Sequence, residues 1–473
     1  MKIQYTILDL LRKYYVLLFI LLSGISLFFV LVSAKISIVL GIFPLFIIGL
    51  LLFLLIIIHN EFYSIILIII YSYTIFYLDR TLREVDIPIG IMMEGLAVMS
   101  IVVLLFKNKF EGFKNSIGIV LLIWLAYNLM ELVNPFALSV MAWFYAVRGI
   151  ILMILLFFIA YSTIRTKKQI YTVYGVLLGF GFIGALYGLK QQYLGPFDYE
   201  VAWLQESEIR MQFFYAWGRL RIFSIFSDPK DFGLFMAFIA VMALVLAFNK
   251  KLNEIKKAIL LLIFVLSAWA MIFSGIRTST VLILIGIAIF IVIDLRKKMV
   301  VFSVFLGGVM LVLVFFSNRI DALYIMSTAF KGKEDASFNV RLENQKFVRK
   351  YVLQAPIGYG IGTTGEWGSQ FSSGHVLNGF PPDSEFVRIG VENGWLGMLY
   401  WSFLLGYIFM TGVKTFFRLQ DGELKNILLA SLVVYMMFVI SMYPQESLRT
   451  YTLITFFAIL VAIIAKISFS KVS

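Results

Sequence analysis

Residues 37–78 read SIVLGIFPLFIIGLLLFLLIIIHNEFYSIILIIIYSYTIFYL, a stretch with one acid, Glu61, and no lysine, arginine or aspartate. About 20 apolar residues in a helix cross the hydrocarbon of a bilayer, so 37–58 and 62–78 read as two spans turned at residues 59–61. The pattern continues in both directions. Runs at 14–34, 37–58, 62–78, 87–106, 116–134, 137–161, 170–189, 229–248, 258–275, 279–293, 299–317, 394–413, 426–443 and 451–466 predict about 14 transmembrane helices. The first comes after a basic start but is too long for a signal-peptide core, so it reads as a retained span. The 473 residues are 61% hydrophobic and 14% charged, whereas soluble domains carry about 25% charge, which excludes a water-soluble globule. No polar linker divides the runs, so 1–473 reads as a single all-α polytopic membrane domain.

The net charge of +13 could suggest nucleic acid, but its distribution argues otherwise. With the N-terminus inside, the cytoplasmic junctions contain KNKFEGFK, TIRTKKQ, NKKLNEIKK, DLRKK and KTFFRLQDGELK, and inside segments hold 21 Lys and Arg against 7 acids. The remainder of the chain holds 19 against 20. This is the positive-inside asymmetry of a membrane protein with both termini cytoplasmic, and no nucleic-acid partner is expected. The chain has no cysteine and two histidines, His59 and His375, which excludes disulfides, thiolate chemistry and cysteine metal sites. No metal or cofactor is expected.

Two outward segments are too long to be simple turns, 190–228 and 318–393, and function is expected there. The first contains FFYAWGR (213–219), an aromatic segment suited to the headgroup layer. The second contains NVRLENQKFVRKYVLQA (339–355), which places Val340, Phe347, Val348, Tyr351 and Val352 at helical spacing and predicts an interfacial amphipathic helix.

Arg221, in GRLRIFSIFSDPKDFG, and Arg277, in FSGIRTST, lie far apart in sequence yet both map to the outer membrane surface. A planar guanidinium fork suits a pyrophosphate there, and snorkelling to lipid phosphate is the plainer role. Arg148 sits inside the outer end of its span, where Glu94 can pair with it or substrate can contact it. In the long loop, GYGIGTTG looks like a dinucleotide fingerprint but lacks the strand and the βαβ context. Asp383 comes after two prolines and precedes a helix, so it reads as a catalytic base or an N-cap. His375 reads as a base or a polar loop residue, and Glu392 as a substrate contact or a cap for the next span.

Four segments in this order, RIFSIFSDPKDFG, FSGIRTS, VRLENQKFVRKYVLQAPIGYGIG and PDSEFVRIGVENGWLG, resemble the bacterial O-antigen polymerase and O-antigen ligase family over about 215–400. The resemblance implies a type C glycosyltransferase-like fold in the cytoplasmic (inner) membrane, acting on its outer face. It implies inverting, metal-independent glycan transfer from an undecaprenyl-pyrophosphate-linked donor to a lipid-linked acceptor, with membrane lipids and a chain-length regulator as further partners. Arg221 and Arg277 match the arginines expected to bind donor pyrophosphate, and Arg341 matches an arginine heading the loop helix. Where ligases commonly carry histidine before the final Glu-x-Gly element, this chain has Asp383, with Glu392 and Gly394 correctly spaced behind it. That departure favours polymerase over ligase. Asp383 is then the first candidate for the proton acceptor, and His375 the second. A lipid-linked-oligosaccharide transporter is the rival class, expected to show two related halves and ionisable residues spread through its spans.

Overall fold

The computed structural model describes residues 24, 38–81, 89–216, 218–294, 336–372, 374–420 and 422–470. Apart from residue 24, the expected span 14–34 lies outside these residues, as do the expected span 299–317, the start of the second outer segment at 318–335, and Trp217 of the aromatic segment. Every other expected run coincides with a helix: α1 (Ile38–His59), α2 (Phe62–Thr81), α3 (Ile89–Phe106), α4 (Ser116–Met130), α5 (Val140–Thr163) and α6 (Lys167–Leu194) come first. The first outer segment contains α7 (Asp198–Gln205), α8 (Glu208–Phe214) and a two-residue antiparallel ladder, β1 (Tyr215–Ala216) with β2 (Arg219–Leu220). Then come α9 (Pro229–Ala247), α10 (Glu254–Ile272) and α11 (Arg277–Ile293). The second outer segment supplies α12 (Ala336–Gln354), α13 (Gly365–Phe371) and α14 (Glu385–Glu392), and the chain returns through α15 (Gly394–Arg418), α16 (Gly422–Ser441) and α17 (Tyr451–Phe469). Among the described residues nine helices are long and apolar enough to cross a membrane, and α1, α3 and α11 contribute shorter apolar stretches. The protein is an all-α polytopic membrane protein.

Local chemistry sets the helix ends. Asp228 caps α9, accepting from the Asp231 amide at 2.8 Å, with Pro229 in the first turn. Asn253 caps α10 in the same way, which lets that helix begin in the charged EIKK turn, earlier than the apolar run at 258 suggests. α9 is the hub, enclosed by α6, α10, α11, α16 and α17. Gly181 and Gly188 of α6 let Ile239 and Phe232 approach so closely that a Cβ at either would collide with them, and a Cβ at Gly184 would press on Phe226.

The bundle has two chemically distinct ends. At one, Glu61 accepts from Lys107 at 3.1 Å and Lys109 at 2.5 Å, with Arg165 at 3.6 Å, while Lys466 reaches Glu111 at 2.8 Å and Lys251 reaches Glu423 at 3.7 Å. These contacts join the junctions assigned to the inside. At the other end lie the outer segments and the α10–α11 turn. There α12 buries Val348 in a small core with Leu377 and Val391, while Val340 and Phe347 stay exposed. Its apolar face is thus divided between the loop's own core and the surroundings.

The arrangement has two measurable consequences. In the cysteine-free chain, a cysteine at exposed Gln370 should react with an impermeant maleimide on intact cells, and one at exposed Lys256 should not. The reverse labelling would invert the topology. The second consequence concerns Glu61. Burial alone would raise its carboxyl, but hydrogen bonds from Lys109, its own backbone and Lys107 outweigh burial and lower it from 4.5 to about 2. A depressed carboxyl stabilises the fold above its unfolded value and loses that effect as pH falls toward its folded value. Glu61→Gln should therefore lower the melting temperature at pH 7, and its gap from the parent should narrow as pH falls to about 3.

Candidate functional site

The segment before α9 is placed by a residue that the sequence reading passed over. Arg80, at the end of α2 and 2% exposed, donates to the Ser224 carbonyl at 2.8 Å and the Phe226 carbonyl at 2.7 Å, with its guanidinium 4.8 Å from the Phe223 ring. Ser224 adopts a left-handed φ of 52°, donates its amide to Gln191 at 2.8 Å and its hydroxyl to the Gly184 carbonyl at 2.7 Å. The chain so held brings Arg221 to the α10–α11 turn. The Ile222 amide donates to the Phe273 carbonyl at 3.0 Å, and Arg221 Nε donates to the Ser274 carbonyl at 3.2 Å.

Arg277 opens α11 three residues beyond Ser274, so the two arginines of the sequence reading lie at the same turn. Burial draws the Arg221 guanidinium below its ordinary value and the like charge of Arg277 adds to this, while Asp228 opposes both. The N-cap of α11, Ile276, supplies no side-chain acceptor for the first-turn amides. Two neighbouring guanidiniums beside a helix N-terminus form an arrangement that an anion relieves.

The glycine-rich loop is clasped onto α14 and leaves no cradle for a nucleotide. Tyr359 and Gly360 donate their amides to the Val391 and Glu392 carbonyls at 2.9 and 3.0 Å, and Leu396 donates to the Pro356 carbonyl at 3.1 Å. Gly358 and Gly394, with φ of 78° and 70°, pass so closely that a Cβ on either would strike the other's backbone. Glu392 does not cap α15. Its Oε1 accepts from the Thr364 amide at 3.1 Å and hydroxyl at 2.6 Å, and burial raises its carboxyl against the opposing effects of Arg388 and Thr364.

Asp383 and His375 lie on the long segment between α11 and α15. Asp383 is exposed, has a left-handed φ of 52°, and accepts from Asn344 of α12 at 3.2 Å. Arg341 precedes Asn344 by three residues on α12, and residues so spaced share a helix side. The cap of α14 is Ser384, which accepts from the Val387 amide, so Asp383 is not the N-cap. His375 Nδ1 accepts from the Leu377 amide at 3.2 Å, and its ring lies 5.4 Å from that of Tyr359. That bond puts the proton of the neutral ring on Nε2 and occupies the lone pair a base would use.

A cavity of about 360 Å³ opens between α3, α5, the Gly362–Trp367 stretch, α14 and residues 446–454. Glu94 and Arg148 pair across it at 2.8 Å, and Glu392 also lines it. Arg388 bonds Glu385 and approaches Glu446 at 3.4 Å, and Arg449 bridges Glu446 at 3.1 Å and Glu366 at 3.3 Å. Burial opposes the charge on Arg388, but Glu385, Glu446 and Glu392 overcome it and hold its proton more tightly than usual. Lys230 donates to the Glu446 carbonyl at 3.3 Å, which ties the start of α9 to this wall. The structure thus brings Arg221 and Arg277 to one turn and Arg148 with Glu392 to one cavity, seats Asp383 against Asn344 of α12, and leaves both Arg221 and Arg277 off the cavity wall. Arg388 and Arg449 were missed. Their signal was present in SEFVR and QESLR, each with a Glu–Arg pair at i,i+3 on the outer side. Among the described residues no three His, Asp or Glu side chains converge to hold a metal ion.

Residues 262–402 match the family model described as O-antigen ligase. No curated protein matches the chain. The matched segment runs from within α10 into α15, and so includes Arg277, Arg341, His375, Asp383, Arg388 and Glu392. The chain is a multi-pass membrane protein that carries an O-antigen ligase family segment, and the broad chemistry of that family is glycan transfer.

Proposed function

We propose that the protein polymerises lipid-linked oligosaccharide repeat units of an O-antigen, capsule or exopolysaccharide on the outer face of the cytoplasmic membrane. The donor is an undecaprenyl-pyrophosphate glycan. The observation that carries this reading is the meeting of Arg221 and Arg277 at the α10–α11 turn. In the reaction, the bond from the anomeric carbon to pyrophosphate breaks as a sugar hydroxyl of the acceptor attacks from the opposite face. Negative charge grows on the departing pyrophosphate, and guanidiniums already fixed in place stabilise it without reorganising at that moment. Asp383 takes the hydroxyl proton. Its exposed position suits a glycan arriving on its own lipid tether, where a shared bilayer supplies proximity. Asp383 in place of histidine favours a lipid-linked glycan acceptor over the lipid A core.

The direct test is reconstitution with one defined undecaprenyl-pyrophosphate oligosaccharide. A ladder of elongated products without a second acceptor is expected; transfer only after lipid A core is added would make the protein a ligase. In the same assay Arg221→Ala and Arg277→Ala should each lower turnover by roughly 10² to 10³ with expression and insertion retained. Lysine should restore part, because a point charge cannot reproduce the bidentate fork. Near-parental transfer by either alanine variant would remove that arginine from the pyrophosphate site.

Asp383→Asn separates chemistry from conformation, since asparagine tolerates the left-handed backbone yet accepts no proton at neutral pH. It should remain folded and lose roughly 10² to 10⁴ in turnover. Full activity of Asp383→Asn, together with a dead His375→Ala, would move the base to His375.

A further inference from the structure

We infer that the cavity between α3, α5, α14 and residues 446–454 is a subsite for a neutral sugar ring, with Trp367, backed by Tyr145, as its stacking wall. The Glu366–Arg449 and Glu94–Arg148 pairs grip its hydroxyls. The inference rests on the glycan-transfer reading and concerns which part of the molecule reads the acceptor.

Three observations lead here. The first is aromatic. Tyr145 of α5 stacks on Trp367 at 4.9 Å and 21°, and on Phe371 at 5.0 Å and 7°, while Trp367 and Phe371 lie within 18° of one plane. Trp367 and Tyr145 both line the cavity. The negative face of such a ring attracts the weakly positive C–H groups on the apolar side of a sugar ring.

The second is electrostatic. Arg148, Arg388 and Arg449 line the cavity together with Glu94, Glu366, Glu392 and Glu446, and each arginine has a carboxylate within 3.4 Å. A cavity whose cations are already paired offers little net field to a pyrophosphate. It offers instead alternating donors and acceptors, in the planar bidentate form that suits neighbouring hydroxyls. The third is size, since about 360 Å³ falls within the roughly 300–1,000 Å³ of small-ligand sites.

The experiment measures transfer by purified full-length protein against varied concentrations of a lipid-free acceptor, the oligosaccharide cleaved from its own donor. Trp367→Ala should raise the acceptor KM about tenfold with donor KM unchanged, while Trp367→Phe, which keeps a ring face, stays within about threefold of the parent. Glu366→Gln, at a side chain 68% exposed and so harmless to folding, should also raise acceptor KM. Saturation-transfer NMR from protein aromatic protons should label the oligosaccharide's C–H protons in the parent and not in Trp367→Ala. An active parent with unchanged acceptor KM in both Trp367→Ala and Glu366→Gln would overturn the subsite and leave the transferase reading intact. A parent that transfers no glycan from any lipid-pyrophosphate donor would instead overturn the transferase reading. If Trp367→Ala melts early, Glu366→Gln and Trp367→Phe decide: a normal acceptor KM in the first, or a phenylalanine variant as impaired as alanine at parental melting temperature, rejects the sugar subsite.

Discussion

A buried cation must be given partners, and Arg80 finds its own inside the protein. Its guanidinium has no route to water, so it takes the carbonyls of Ser224 and Phe226, two backbone acceptors left over where the chain turns into α9. The turn is otherwise unfavourable, with Ser224 in a left-handed conformation, and it persists because Arg80, Gln191 and Gly184 each hold it. The start of α9 and the place of Arg221 depend on that fixed turn. It carries Arg221 to Ser274, sets Asp228 as the cap of α9, and starts the helix around which the bundle is arranged.

The outer face then separates charge by purpose. Arg221 and Arg277 share the α10–α11 turn with Asp228 nearby, and Arg148, Arg388 and Arg449 each bond a carboxylate of the cavity wall. Isolated surface pairs contribute little to stability, but these lie in a partly enclosed cavity where solvent screens less, and they form a connected chain from Glu385 to Glu366. Through Lys230 and the Glu446 carbonyl, the same chain touches the start of α9. Asp231 receives the hydroxyls of Thr450 and Thr452 at 2.7 and 2.5 Å, a second tie between that helix and the wall of the cavity.

The long loop is ordered by backbone contact more than by its own core. Val348, Leu377 and Val391 make a cluster too small to stand alone, and the Gly358–Gly394 approach with the Glu392–Thr364 clasp seats the loop on α14 and α15. Glycine is required at both positions because φ is positive and no Cβ fits between the two strands of chain. A sequence that looks like a phosphate loop is therefore a packing motif.

The sequence by itself determined where the apolar runs of the described residues lie and which junctions between them are basic, because apolar length and charge placement are local and additive along the chain. It also put Arg221 and Arg277 on one face of the membrane, and Arg148 within reach of Glu94. Only the tertiary structure decided which spans lie inside. α9 and α10 have nearly equal hydropathy, 2.0 and 2.1, yet 94% of the apolar window of α9 is buried and 28% of that of α10. Lipid tails and protein interiors are alike in polarity, so composition cannot tell one neighbour from the other. For the same reason the sequence left Arg80 unremarked and the partners of Arg388 and Arg449 unassigned: a charge near the end of a span is compatible with snorkelling, with pairing or with a site, and only the packing of distant helices chooses among them.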